Sequence, residues 1–405
     1  MKRRGPRIVL FGHDTFGLGH LRRNLTIAHQ LARDLPDAQF LGLTGSPQAH
    51  AFPIPPRFDF VKLPSATKNE SGGYGSRTLD LTLDELTGMR SRLIGETLLS
   101  FRPDVVLVDH APAGMEGELV APLNRLRAEH PGAALVLGLR DVIDDPERVR
   151  QEWDRLGILD WMDRTYDRVL IYGAHGVGPL PEEYGLSPRL NGRVRFMQYV
   201  HEGPQRGTRE ETRRRLGLGE EPLIVATVGG GGDGEVVLLC LLEALADHVD
   251  WPGRFWVVTG PLMRHAAAAR VRERARLLAR VRVVEFDPEL PLLLDAADAV
   301  LSMAGYNSTL EILASGAPAV LVPRTRPRRE QWIRATAMER LGLCEVVDPD
   351  HATPRRLAAA LRAALARGRR TDPLPLELDG AQNVSREVRM LLEERGIGVG
   401  EGRVA

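Results

Sequence analysis

Apolar runs of β type alternate with helical stretches along the whole chain, and this alternation restricts the fold more than any other feature. In the first half the strand candidates are Arg7–Gly12, Phe40–Gly45, Phe58–Leu63, Asp104–Asp109, Ala134–Leu139 and Val169–Tyr172. In the second half they are Leu223–Val228, Phe255–Thr259, Val281–Phe286, Ala299–Met303, Ala319–Val322 and Cys344–Val347. Continuous Val/Ile/Leu runs separated by helices predict parallel sheets covered on both faces. Each half carries about the strand complement of a doubly wound domain. At 405 residues the chain also exceeds one ordinary core. We expect one domain over 1–200 and a second over 201–382. The remaining 383–405, with the helical pattern Val384–Arg395, should pack back on the first domain. The polar stretch Tyr199–Arg206 is the expected hinge, and the Pro-rich Thr371–Gly380 a crossing loop.

Composition narrows the partners. Lys and Arg number 54, as do Asp and Glu, so no net field draws the chain to nucleic acid or anionic lipid. No apolar stretch approaches the roughly 20 residues of a membrane span. The basic start, Met1–Arg4, leads directly into a strand and does not read as a secretory signal. Cys240 and Cys344 lie far apart in apolar surroundings and read as buried thiols of a reducing compartment, with no zinc site.

The chemistry concentrates where strands end. After the first strand, Phe11–Asn24 (FGHDTFGLGHLRRN) opens a helix whose apolar face is Leu21, Leu25, Ala28, Ala32 and Leu35. Gly17 and Gly19 permit close backbone approach. His20, at the helix N-terminus with His13 nearby, is placed as a neutral general base, where the helix dipole lowers an imidazole's pKa. A histidine cap without chemistry is the alternative. Thr227–Gly234 (TVGGGGDG) joins a strand to a helix, and Gly229, Gly230, Gly231 and Gly232 expose successive N–H groups suited to a diphosphate. It lacks the Gly-Lys-Ser/Thr of a P-loop.

Ser302–Pro323 (SMAGYNSTLEILASGAPAVLVP) is a strand, a small-residue turn, a helix and a second strand. Its turn points backbone N–H groups beyond the strand ends. Glu311 reads either as a ribose ligand or as the partner of Ser308 in a capping box. Glu330 and Gln331 open a helix and suit sugar hydroxyls, or form a solvated helix start. Asp109 and His110 end a strand, and either could face the site. Asn69–Arg77, with Tyr74, is a glycine-rich loop that either shapes acceptor access or is a simple linker.

Taken together, GLGHLRR, the second-half glycine loop and AGYNSTLEILASGAPAVLVP resemble the GT-B glycosyltransferases. They are most similar to the GlcNAc transferases that form lipid II and to a bacterial group of predicted glycosyltransferases. The resemblance is strongest over 302–342 and 8–33. It implies two Rossmann-like domains facing across a cleft, with the nucleotide-sugar donor on the second and the acceptor on the first. It implies inverting transfer from a UDP-sugar to a small-molecule or lipid-linked acceptor, without bound metal or other cofactor. Such a protein would be cytoplasmic or peripheral at the inner membrane face. Carried over, Gly229–Gly232 meet the diphosphate, Phe286 and the Asp287 backbone flank the base, and Glu311 takes the ribose. Gly305, Tyr306, Asn307 and Ser308 lie near the phosphates, and Glu330 and Gln331 match a Gln-Gln pair that reads the sugar. His20 matches the histidine near the reaction centre, while His13, Gly17, Gly19 and Tyr74 fall on the acceptor side. The GxGHxxR pattern also resembles nucleotide-sugar hydrolases, in which the histidine activates water. A non-catalytic nucleotide-sugar sensor would keep the second-domain site but have no use for His20, and a nucleotide-sugar 2-epimerase shares the fold, though the sequence shows no clear set of extra acid/base groups for it.

Overall fold

The computed structural model describes residues 5–13, 19–68, 73–203, 207–247 and 251–398. Gly17, part of the Asn69–Arg77 loop and residues 204–206 of the expected hinge lie outside them. The chain divides into two compact units, Met1–His201 with Glu377–Ala405, and Glu202–Leu376. The sequence reading set the second boundary at 382, whereas residues from Glu377 onward group with the first unit.

The first unit is built on β1 (Arg7–Gly12), β2 (Gln39–Thr44), β3 (Phe58–Lys62), a hairpin of β4 (Ala66–Lys68) and β5 (Tyr74–Ser76), β6 (Val105–Asp109), β7 (Ala134–Arg140), β8 (Arg168–Tyr172) and β9 (Val194–Phe196). Its main sheet runs β3-β2-β1-β6-β7-β8-β9, with every pair parallel. Ile8, Val9, Leu10 and Phe11 are buried, as are Val105 to Val108, because both sheet faces are covered. Helix α1 (Gly19–Asp34) follows β1 and buries Leu21, Leu25, Ala28 and Leu31, the helical spacing expected of a core-facing stripe. Helix α2 (Leu83–Phe101) starts at a capping box formed by Thr82 and Glu85.

Two pieces of this unit escaped the sequence reading. β9 is a three-residue edge strand, Val194-Arg195-Phe196, with too few apolar residues to register as a run. Tyr74, expected in a loop, belongs to β5 and pairs with Lys68 across the hairpin. The terminal helix Gly380–Glu394 joins this unit through Ser385 Oγ, which donates to Asp34 at 2.6 Å, and through the Arg168 ion pairs with Glu387 and Glu394. A side chain at Gly380 would stand 2.6 Å from the Tyr199 backbone, so only glycine permits this close crossing.

The second unit holds β10 (Leu223–Thr227), β11 (Arg254–Val258), β12 (Val281–Val284), β13 (Ala299–Ser302), β14 (Ala319–Leu321) and β15 (Glu345–Val346). They form one parallel sheet, ordered β12-β11-β10-β13-β14-β15. Its core joins Ile224, Ala226, Leu238, Leu241, Phe255, Val257, Leu301 and Leu361 from the sheet and the helices that cover it. In both sheets the chain winds outward to one edge, then returns to the centre and continues to the other. The reversal falls between β1 and β6 in the first unit and between β10 and β13 in the second. Ligands of open α/β sheets bind outside the carboxyl ends of strands at such reversals.

Candidate active site

At the reversal of the first unit, α1 and the end of β6 bring titratable groups together. His20 is the second residue of α1, and Asp109 ends β6. His20 Nδ1 lies 2.6 Å from Asp109 Oδ2. Arg23, one helical turn on, reaches the same carboxylate with Nη2 at 2.6 Å and Nε at 2.9 Å. Spacing of three residues sets His20 and Arg23 on one helix face. The Asp109 side chain is fully buried and that of Arg23 is 1% exposed. Burial opposes the carboxylate's charge, but the Arg23 guanidinium and the His20 hydrogen bond hold its pKa below the usual carboxylate range. An ionised Asp109 accepts a hydrogen bond from the Nδ1–H of His20, which puts the imidazole lone pair on Nε2, the tautomer a general base requires.

Two more imidazoles border this dyad. The His13 ring centroid is 4.5 Å from that of His20, and the His110 centroid 5.6 Å. His110 adopts φ 68°, an unusual conformation for a residue with a side chain. Arg140 Nη2 stands 2.7 Å from His110 Nε2. Burial and then the Arg140 charge push the His110 pKa well below the ordinary imidazole range. Asp109 and His110 thus have different neighbours, Arg23 and His20 for one, Arg140 for the other. Tyr74 is not part of the cluster: it packs with Ala66, Leu86 and Met115 under the hairpin.

The second unit presents two turns side by side at its reversal. β10 and β13 are neighbours, with Thr227 opposite Ser302, and both residues are buried. The turn after β10 is Gly229 to Gly232, and the turn after β13 leads to Gly305, which precedes the helix Tyr306–Ser315. A Cβ on Gly229 would stand 3.7 Å from Ser308 Oγ, so the turns lie in contact range of each other. Gly229 and Gly231 have φ 63° and 89°, and a Cβ on Gly231 would collide with the Thr259 carbonyl at 2.1 Å. Part of the glycine run is therefore required by packing, while Gly229, Gly230 and Gly232 keep partly open backbone.

The structure corrects the capping-box reading of Glu311. The helix begins after Gly305 with no side-chain cap, so Ser308 already lies inside it. Glu311 is the sixth helical residue and is 7% exposed. Asn307 and Ser308 occupy the first turn, where N–H groups face the reversal. Phe286 is 43% exposed just beyond β12, and Asp287 accepts a hydrogen bond from the Glu289 N–H at 2.9 Å. Glu330 and Gln331 do start a helix, Glu330–Arg340, but both bond to Arg324. The Glu330 carboxylate pairs with the guanidinium, and Gln331 Oε1 accepts the Arg324 N–H at 2.8 Å. Arg324 also reaches Asp233, at the end of the glycine turn, at 2.7 Å.

Sequence reasoning missed the arginines. Arg23 was visible as the residue one turn after His20. Arg324 and Arg334 gave no signal among the many arginines of the chain. Arg334 is 1% exposed and donates to the carbonyl of Ala304 at 3.1 Å, where Ala304 holds φ 60° just before the helix.

With this geometry in place, the relatives are informative. Residues 248–381 match the glycosyltransferase family 28 C-terminal domain. Over 397 residues, 90% of this chain and 94% of the relative, it is 24% identical to a UDP-N-acetylglucosamine--N-acetylmuramyl-(pentapeptide) pyrophosphoryl-undecaprenol N-acetylglucosamine transferase of Desulforudis audaxviator. Other relatives of that name align over shorter parts, 36% and 50% of their length. The chain has the two-domain fold of the GT-B glycosyltransferases. Its fold is that of Acinetobacter baumannii MurG, at TM-score 0.56 and 14% identity over 96% of this chain and 99% of that one. A putative UDP-N-acetylglucosamine 2-epimerase from Listeria monocytogenes shares the fold at TM-score 0.61 and 13% identity, over 96% and 97% of the two chains. Among the described residues no helix is long and apolar enough to cross a membrane.

Proposed function

We propose that the protein is an inverting, metal-independent glycosyltransferase that moves a sugar from a nucleoside-diphosphate sugar, a UDP-sugar by preference, to a hydroxyl or amine of a small or lipid-linked acceptor. The observation that carries this reading is the His20–Asp109 contact of 2.6 Å at a sheet reversal, anchored by Arg23. His20 Nε2 takes the proton of the acceptor group as that group attacks the anomeric carbon. The bond from that carbon to the diphosphate oxygen breaks on the opposite face, which inverts the centre. Arg23 keeps Asp109 ionised, and Asp109 holds His20 in the reactive tautomer and stabilises the imidazolium that forms.

The nucleoside diphosphate leaves with its charge facing Gly229–Gly232 and the N-terminus of Tyr306–Ser315, whose N–H groups and dipole stabilise it. Glu311 takes the ribose hydroxyls and Phe286 lies against the base. Glu330 and Gln331, set by Arg324, meet the sugar. The UDP preference and the lipid-linked acceptor rest on the names of the curated relatives.

The test uses labelled UDP-sugars with a panel of soluble and lipid-linked acceptors. Wild-type protein should transfer label, and His20→Ala should not, while retaining donor affinity; EDTA should leave the rate unchanged. Transfer by His20→Ala at the wild-type rate would remove His20 as the base, and loss of activity in EDTA would end the metal-free reading.

A further inference from the structure

The cluster around His20 rests on a residue outside it. Arg90, on α2, is a fully buried side chain, and its ion pair with Glu118 is fully buried on both sides. Arg90 Nε donates to Glu118 Oε2 at 2.5 Å and Nη2 to Oε1 at 2.9 Å. The same guanidinium donates from Nη1 to the Pro64 carbonyl at 2.7 Å and from Nη2 to the His13 carbonyl at 3.2 Å. Glu118 in turn accepts the Met115 N–H at 3.3 Å. Gly45 completes the enclosure, since a Cβ there would stand 2.6 Å from the His13 carbonyl and 2.7 Å from Arg90 Nη1.

These contacts have one thing in common. His13 follows β1, Gly45 follows β2, Pro64 follows β3, and Met115 and Glu118 lie in the segment after β6. One guanidinium therefore gathers the chain at the carboxyl ends of four strands of the parallel sheet, the edge on which His20 and Asp109 meet. His13 is the nearest link: its carbonyl is held by Arg90 and its ring lies 4.5 Å from that of His20. A planar, five-donor fork suits this task, because it satisfies a carboxylate and two carbonyls at fixed angles where an ammonium cannot.

We propose that Arg90 is a positioning residue for the transfer reaction: through the His13 carbonyl it fixes His13, whose ring lies beside that of His20 where His20 meets Asp109. This rests on the reading of His20 as the base. A purely structural buried ion pair predicts something different. Removing one partner strands a charge, whereas replacing both by apolar groups often leaves stability unharmed. Stability and positioning can thus be separated in one protein.

The experiment compares Arg90→Met/Glu118→Met and Arg90→Lys with wild type in the full chain. The double variant should unfold cooperatively near the wild-type midpoint yet lose about 100-fold in kcat, the scale of a misplacement of about 1 Å, with donor KM changed less than threefold. Arg90→Lys keeps the charge but not the fork, and should lose about tenfold in kcat with KM unchanged. Recovery of kcat together with stability in the double variant would overturn the proposal. Should that variant fail to fold, wild-type kcat in Arg90→Lys would overturn it. An arm without substrate separates this proposal from the assigned reaction. The imidazole resonances of His13 and His20 should be displaced in Arg90→Lys, and unchanged resonances would refute positioning whatever the enzyme transfers. Absence of turnover in wild type with displaced resonances would instead count against the reaction alone.

Discussion

Asp109→Asn changes one buried group without changing its shape, and the structure gives its consequences in order. Asp109 Oδ2 serves His20 and Arg23 at 2.6 Å each, and Oδ1 serves Arg23 at 2.9 Å. An asparagine has one acceptor oxygen. If that oxygen faces Arg23, its NH2 faces His20, and the imidazole must accept at Nδ1 and carry its proton on Nε2, which removes the base. The rate should fall about 10³- to 10⁴-fold, the scale seen when a buried carboxylate that orients a catalytic histidine is neutralised. The variant also leaves the buried Arg23 charge without its counter-ion, which should cost about 3–5 kcal/mol. Because the folded pKa of Asp109 is depressed, its stabilisation is present above the unfolded value of about 4 and declines as pH falls below it. At pH 3.5 about 0.7 kcal/mol of the wild-type advantage should be gone relative to pH 7. Urea unfolding at both pH values, with initial transfer rates at pH 7, reads all three effects. A variant of wild-type stability would refute the buried-pair reasoning, and wild-type turnover would refute the orienting role.

Other outcomes follow from the same geometry. Glu311→Gln should weaken UDP binding about tenfold by calorimetry, the loss of a charged hydrogen bond to the ribose; unaltered affinity would leave Glu311 with a structural role only. Gly231→Ala, whose Cβ would meet the Thr259 carbonyl at 2.1 Å, should displace the glycine turn and raise the UDP Kd at least about tenfold in the same titration. His110 should stay neutral in an NMR titration well below pH 6.5, because burial and Arg140 oppose its charge. Its unfolded form takes up a proton first, so this group lowers stability as pH falls below about 6.5, by up to about 1.4 kcal/mol per pH unit. Cys344, pushed up to about 12 by burial and then Glu339, should resist thiol reagents at pH 8 until the protein is unfolded.

The parallel sheets were legible because buried strands such as Val105–Asp109 and Leu223–Thr227 are continuous apolar runs, which the eye separates from helices easily. β9 was not, because an edge strand with Arg195 at its centre carries little apolar signal. The glycine turns and His20 were legible as residue types at strand ends. Their partners were not, since Asp109 is 89 residues from His20 and only the sheet order brings β6 beside β1. Glu311 shows the limit of local spacing. Ser308 to Glu311 has the interval of a capping box, but the helix starts earlier, at a left-handed Ala304 held by Arg334 from a later helix. Arg90 was hidden for the same reason, because what it binds is backbone from distant segments.

The central claim is a nucleoside-diphosphate-sugar site serving transfer, and one measurement addresses it without knowledge of the acceptor. The full chain is incubated with UDP-, GDP- and dTDP-sugars, and its thermal midpoint and the free nucleotide released are followed together. The account predicts that a UDP-sugar raises the midpoint while nucleotide release stays at background until an acceptor is added. Rapid release in water alone, or no stabilisation by any nucleotide sugar, would contradict it.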